Sequence, residues 1–135
     1  YLEAMEEQGL SFSMKNVFEG KIDYENGIKL ANTLCDSKSK ATAVVASADI
    51  LAITAIKAFY ERGLRVPEDF SVIGFDDLQI SKYLTPGLTT VHQDISRKGE
   101  RAMELLFQSI EDPNLTKREE IMAVNIVERG SVKSL

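Results

Sequence analysis

The sequence predicts an α/β domain, a three-layer parallel sheet with helices on both faces. Three observations point there. Two apolar runs, Ala43-Val-Val-Ala46 and Phe70-Ser-Val-Ile-Gly-Phe75, are separated by a stretch with helical spacing of apolar residues, so two periods alternate along the chain. The Ala43 to Ala46 run is continuous rather than alternating, which suits a strand buried on both faces, as parallel strands are. Gly, Pro and Asp punctuate the junctions, with Gly63 closing one helix and Asp49 standing where that helix begins.

The elements follow in order. Tyr1-Leu-Glu-Ala-Met-Glu-Glu-Gln-Gly9 has helical spacing but no capping residue before it. The chain is therefore expected to begin inside a helix and to be a piece of a longer protein, with Gly9 as the left-handed C-terminal cap and Leu10 folding back. A short strand is expected around Lys15 to Phe18, then a helix from about Tyr24 to Cys35 that turns Ile28, Ala31, Leu34 and Cys35 inward. The strand Ala43 to Ala46 leads to a helix from Ile50 to Arg62, closed by Gly63 and followed by Pro67. After the strand Phe70 to Phe75 come a short helix from about Leu78 to Tyr83, a break at Pro86-Gly87 and a strand from Leu88 to Val91. Ser96 is expected to cap a helix reaching about Ile110, a polar loop runs through Asp112-Pro-Asn114, and Ile121 to Glu128 alternates as an edge strand.

Composition excludes several functions. The chain has 135 residues, 44% hydrophobic, and a formal net charge of -5, which argues against this segment gripping a polyanion, since phosphate binding needs clustered Lys and Arg. The apolar run from Ala41 to Ala48 falls far short of the roughly 20 residues that span a bilayer. No membrane helix or secretory signal is read, and the one cysteine, Cys35, allows no internal disulfide, so the expected compartment is the cytoplasm.

In open parallel sheets, ligands bind beyond the carboxyl ends of the strands. Two such ends carry acids: Ser47-Ala48-Asp49, and Asp76-Asp77. Asp49 and Asp77 read as helix N-caps. Asp76 lies between the last apolar strand residue and that cap, so it is either a ligand contact or a structural carboxylate, and a neutral sugar suits it because a carboxylate accepts from two hydroxyls without a counter-charge. The helix from Ile50 to Arg62 is apolar over most of its circumference; its far side meets either another element or another subunit. No hydrolase elbow, phosphate loop, dinucleotide fingerprint or zinc helix is present, and His92, the only histidine, reads as a solvated or hydrogen-bonded strand-end residue. Asp49, Asp76 and Asp77 together suggest a Mg²⁺-dependent phospho-accepting receiver, but the strand-end Lys such a site needs is replaced by Thr90 and His92. No catalytic residue, metal or cofactor is expected.

Taken together, Ala43-Val-Val-Ala-Ser-Ala-Asp49, Gly63-Leu-Arg-Val-Pro-Glu-Asp69, Ser71-Val-Ile-Gly-Phe-Asp-Asp77, Pro86-Gly-Leu-Thr-Thr-Val91, Gly99-Glu-Arg-Ala102 and Val127-Glu-Arg-Gly-Ser131 form an ordered series. In order and spacing it resembles the LacI/GalR family of bacterial transcription regulators, closely from about Ala41 onward and more loosely before. The resemblance implies a two-lobed effector-binding domain of periplasmic-binding-protein-like (type I) fold, normally preceded by a helix-turn-helix headpiece, of which this chain is a part. It implies that residues 1–91 form the carboxy-terminal lobe, truncated at its N-terminal side and lacking the family's effector-binding Arg, that 92–124 belong to the other lobe, and that 125–135 are the return strand and tail. It implies a small-molecule effector, a carbohydrate, held by Asp76 and by Gln93 near the crossover. Ala48 and Ile22 fall at positions where relatives place a polar and an aromatic contact. It implies a homodimer through Ile50 and Ile53 and the segment from Leu78 to Leu84, with DNA bound only through the headpiece and no membrane contact. A periplasmic sugar receptor for a transporter shares the fold and is the alternative.

Overall fold

The computed structural model describes residues 2–10, 13–37, 39–112 and 119–134. Its helices are α1 (Leu2–Glu7), α2 (Tyr24–Asp36), α3 (Asp49–Glu61) and α4 (Ile95–Glu111), and its strands are β1 (Ala43–Val45), β2 (Ser71–Asp76), β3 (Thr89–His92) and β4 (Asn125–Val127). The strands lie in the order β1-β2-β3-β4. β1, β2 and β3 are parallel, with Val44 opposite Val72 and Gly74 opposite Thr90, whereas β4 runs antiparallel to β3, with Val127 opposite Thr90. The sheet is therefore mixed: the parallel expectation holds for its first three strands, and the predicted edge strand joins in reverse.

Two helices end as their glycines dictate. Gly9 and Gly63 both take positive φ, 65° and 75°, which costs a residue without Cβ little. In each case the next residue's amide reaches back across the last turn, Leu10 to the Met5 carbonyl and Leu64 to the Phe59 carbonyl, both at 2.9 Å. Leu64 then packs on the core, while Leu10 remains exposed.

The core forms where α3 lies on β2 and α2 lies on α3. Ala52, Phe59, Val72 and Leu88 are fully buried, and the Phe59 ring stacks on Phe70 with centroids 4.5 Å apart. Small residues let the helices approach: a Cβ on Gly27 of α2 would collide with the Thr54 hydroxyl and lie 3.3 Å from Leu51 Cα of α3. The tail is tied into this core. Ser131, fully buried, donates to the Val72 carbonyl at 2.6 Å and accepts from the Thr89 amide at 2.8 Å, binding the starts of β2 and β3 together.

Several local expectations are corrected. The predicted strand at Lys15 to Phe18 is a 3-10 turn over Met14–Asn16, because the Ser13 hydroxyl accepts from the Lys15 amide and folds the chain locally. β1 is not buried on both faces: it is an edge strand, and Val45 is 63% exposed. The antiparallel strand covers three residues of the predicted Ile121 to Glu128. α4 is capped by Asp94, whose carboxylate accepts from the Arg97 amide at 2.9 Å, rather than by Ser96. The polar loop expected through Pro113 and Asn114 and the helical start at Tyr1 lie outside the described residues. α4 buries none of its side chains, and Met103, Leu106, Phe107 and Ile110 stand exposed along it.

Candidate functional site

The site is built where β2 and β3 end. Asp76 and His92 are the last paired residues of their strands and lie opposite one another. Beyond them the backbone turns sharply: Asp76 and Asp77 both adopt positive φ, 115° and 53°. Asp tolerates the left-handed region better than most residues, yet each such position costs on the order of 1–3 kcal/mol and persists only when its surroundings hold it.

Three sets of contacts hold this turn. The Gln93 side-chain amide donates to Asp76 Oδ1 at 2.6 Å, and Lys98 of α4 donates in turn to the Gln93 carbonyl oxygen at 3.1 Å. Asp77 is paired on both oxygens, with Arg129 Nη2 at 2.6 Å from Oδ1 and His92 Nδ1 at 3.0 Å from Oδ2. Because a carboxylate only accepts, the proton of that last bond sits on His92 Nδ1. Burial pushes the Asp77 carboxyl upward, but the Arg129 guanidinium and His92 outweigh it and hold the group below the ordinary carboxylate range.

The third set centres on Asp49, which is fully buried. Its Oδ2 accepts from the Leu78 amide at 2.8 Å and from the Ser81 hydroxyl, and its Oδ1 accepts from the Thr90 hydroxyl. Gly74 makes room for it, since a Cβ there would occupy the position of Oδ1. One carboxylate at the start of α3 thus joins the residue after the Asp76-Asp77 turn, the 3-10 helix Gln79–Tyr83 and the middle of β3.

These contacts revise two sequence readings. Neither Asp49 nor Asp77 is a helix N-cap: the capping positions fall on Ala48 and Leu78, which make no side-chain cap bond. Asp76 and Gln93, singled out separately, are in direct contact. Ala48 is buried at the start of α3 and Ile22 is 58% exposed ahead of α2, and their apolar side chains offer no hydrogen bond to this pair. Arg129, two residues after β4, went unrecognised as part of the site, because its partner Asp77 lies 52 residues away in the sequence. Ile50, Ile53, Leu78 and Leu84 are half-buried, with Tyr60, Ile80 and Tyr83 exposed on the same two segments.

Among the described residues, no three His, Cys, Asp or Glu side chains are grouped to hold a metal ion, and no helix is long and apolar enough to cross a membrane. The arrangement is a carboxylate and an amide presented at strand ends on a rigid turn, suited to accepting and donating hydrogen bonds to a polar ligand.

Comparison with known proteins identifies the fold. The periplasmic binding protein-like domain family matches residues 1–132. The HTH-type transcriptional repressor PurR of Mannheimia succiniciproducens is 40% identical over 136 residues, covering 100% of this chain and 40% of that protein. A LacI-type transcription regulator from Bifidobacterium animalis subsp. lactis superposes with a TM-score of 0.90 at 30% identity, over 99% of this chain and 48% of that one. A LacI family transcriptional regulator from Enterococcus faecium, solved with bound ribose, superposes with a TM-score of 0.85 at 28% identity, over 99% of this chain and 49% of that one. The chain spans about 40% of the length of the curated relatives it matches. It belongs to the periplasmic binding protein-like domain family, in the form that LacI/GalR-type regulators carry.

Proposed function

We propose that this chain is the effector-sensing and dimerising portion of a LacI/GalR-type DNA-binding transcription regulator, acting in the cytoplasm without catalysis. The observation that carries the reading is the Asp76–Gln93 pair, a half-buried acceptor and donor set at adjacent strand ends. A sugar or sugar derivative fits it, as vicinal hydroxyls both donate to a carboxylate and accept from an amide. The ribose bound in the Enterococcus faecium regulator supports that chemistry. The exposed apolar face of α4 supports assigning residues 92–124 to a second lobe, and effector closing the two lobes would shift the population between DNA-binding arrangements. The half-buried Ile50, Ile53, Leu78 and Leu84 supply the homodimer face, while the net charge of -5 leaves DNA contact to a separate headpiece. The repressor names of the relatives favour this reading over a transport receptor.

The test uses the intact protein, titrated with a panel of sugars including D-ribose while operator binding is followed by fluorescence anisotropy. Asp76→Ala is expected to abolish the effector response and leave operator binding in place. An unchanged effector titration in that variant removes Asp76 from the site.

A further inference from the structure

We infer that Arg129 is a positioning residue for the proposed effector contact, acting on Asp76 through Asp77; the inference rests on the ligand role proposed for Asp76. Asp76 is the last residue of β2, and its side chain is aimed by a backbone held at positive φ on two consecutive non-glycine residues. Such a turn relaxes unless something outside it fixes it. Two anchors do so from opposite sides of the sequence. The Leu78 amide is held by Asp49, and the Asp77 carboxylate is held by Arg129 on one oxygen and by His92 on the other.

Arg129 is built for this task. Its guanidinium divides between two acceptors, with Nη2 on Asp77 at 2.6 Å and Nη1 on the Leu88 carbonyl at 2.7 Å, and its own backbone amide donates to the Thr89 hydroxyl at 2.9 Å. The planar fork fixes the direction of both bonds at once, which a lysine ammonium cannot do. Its side chain is 19% exposed, so the pair with Asp77 is shielded rather than a solvated surface contact. The residue lies two positions after β4, the strand that pairs antiparallel with β3. Arg129 therefore joins the return segment to the turn that presents Asp76.

The experiment compares Arg129→Met and Arg129→Lys with the unsubstituted intact protein, by amide hydrogen exchange and by the NMR signals of the Gln93 side-chain amide. In Arg129→Met, exchange at Asp77 and Leu78 is expected to rise about tenfold while the amides of residues 52–59 in α3 keep their rates, because only the local opening loses an anchor. The Gln93 side-chain signals are expected to move toward those of Asp76→Ala, and Arg129→Lys to restore them in part. A rise spread equally over α3, or Gln93 signals that stay at their original positions in Arg129→Met, overturns the inference. Neither readout requires an effector. If Asp76→Ala leaves sugar titrations unchanged, the functional reading fails, whereas unmoved Gln93 signals refute the positioning role.

Discussion

Gly74 and Asp49 are in contact so close that no side chain fits between them: a Cβ on Gly74 would displace the Asp49 oxygen that accepts from Thr90. A strand glycine ordinarily weakens a sheet, and here it creates the space for a buried carboxylate. Gly74→Ala and Asp49→Ala should therefore damage the same object. Asp49→Ala leaves the Leu78 amide and the Ser81 and Thr90 hydroxyls without their acceptor, and is expected to lower the unfolding free energy by about 3 kcal/mol. Urea unfolding of the two single variants and the double variant measures this. The double variant should lose clearly less than the sum of the singles, and strict additivity would show that the two sites are independent.

The packing of α2 on α3 gives a second prediction. Ala is the better helix former, yet Gly27→Ala places a methyl group against the Thr54 hydroxyl, which is itself fixed by bonds to the Ile50 and Leu51 carbonyls. The substitution is expected to destabilise by about 1–3 kcal/mol. Adding Thr54→Ala should recover part of that loss, as read from thermal unfolding midpoints. Equal midpoints for the single and double variants would place the strain elsewhere.

Acid should act through Asp77. Its carboxyl titrates below the ordinary value of 3.8 in the folded protein, so its contribution to stability is fully present above that value and is lost as pH falls through the depressed folded value. Asp77→Asn removes this dependence. Between about pH 5 and about pH 3 the stability gap between the unsubstituted protein and Asp77→Asn is expected to shrink as pH falls. Denaturant midpoints across that range give the answer, and a gap that widens on acidification would contradict the ion pair.

The proposed dimer face is tested by charge. Ile53 is half-buried beside the core on α3, so Ile53→Asp puts an unpaired carboxylate where a subunit contact is proposed. Light scattering of the intact protein should report the mass of one subunit, with far-UV circular dichroism showing that helix content is retained. A dimer mass in a folded variant moves the interface away from α3.

The parallel strands and α2, α3 and α4 were legible because their signals are local: apolar periodicity in each, and for α3 a terminal glycine, lie within a turn of what they specify. Asp76 was legible as the first polar residue after an apolar strand. Asp49 and Asp77 were misread for the same reason in reverse. An acid just before a helix looks alike whether it caps that helix or accepts from elsewhere, and their deciding partners lie far off, Thr90 at 41 residues from Asp49 and Arg129 at 52 from Asp77. Only the closed sheet brings such residues together. The exposure of Val45 follows from β1 being an edge, which depends on strand order and is absent from the periodicity of any one strand.

His92 and Asn125 face each other in the antiparallel ladder, so the chain connection that carries α4 begins and ends at one base. Lengthening such a connection costs little, about 0.6 kcal/mol for each doubling, and leaves the register of all four strands untouched. Evolution can change the length of that excursion beyond Lys98, which with Gln93 holds Asp76, while the sheet and the buried Asp49 stay as they are. The fold in effect separates a part whose length is free to drift from a part whose buried carboxylate is fixed by its neighbours.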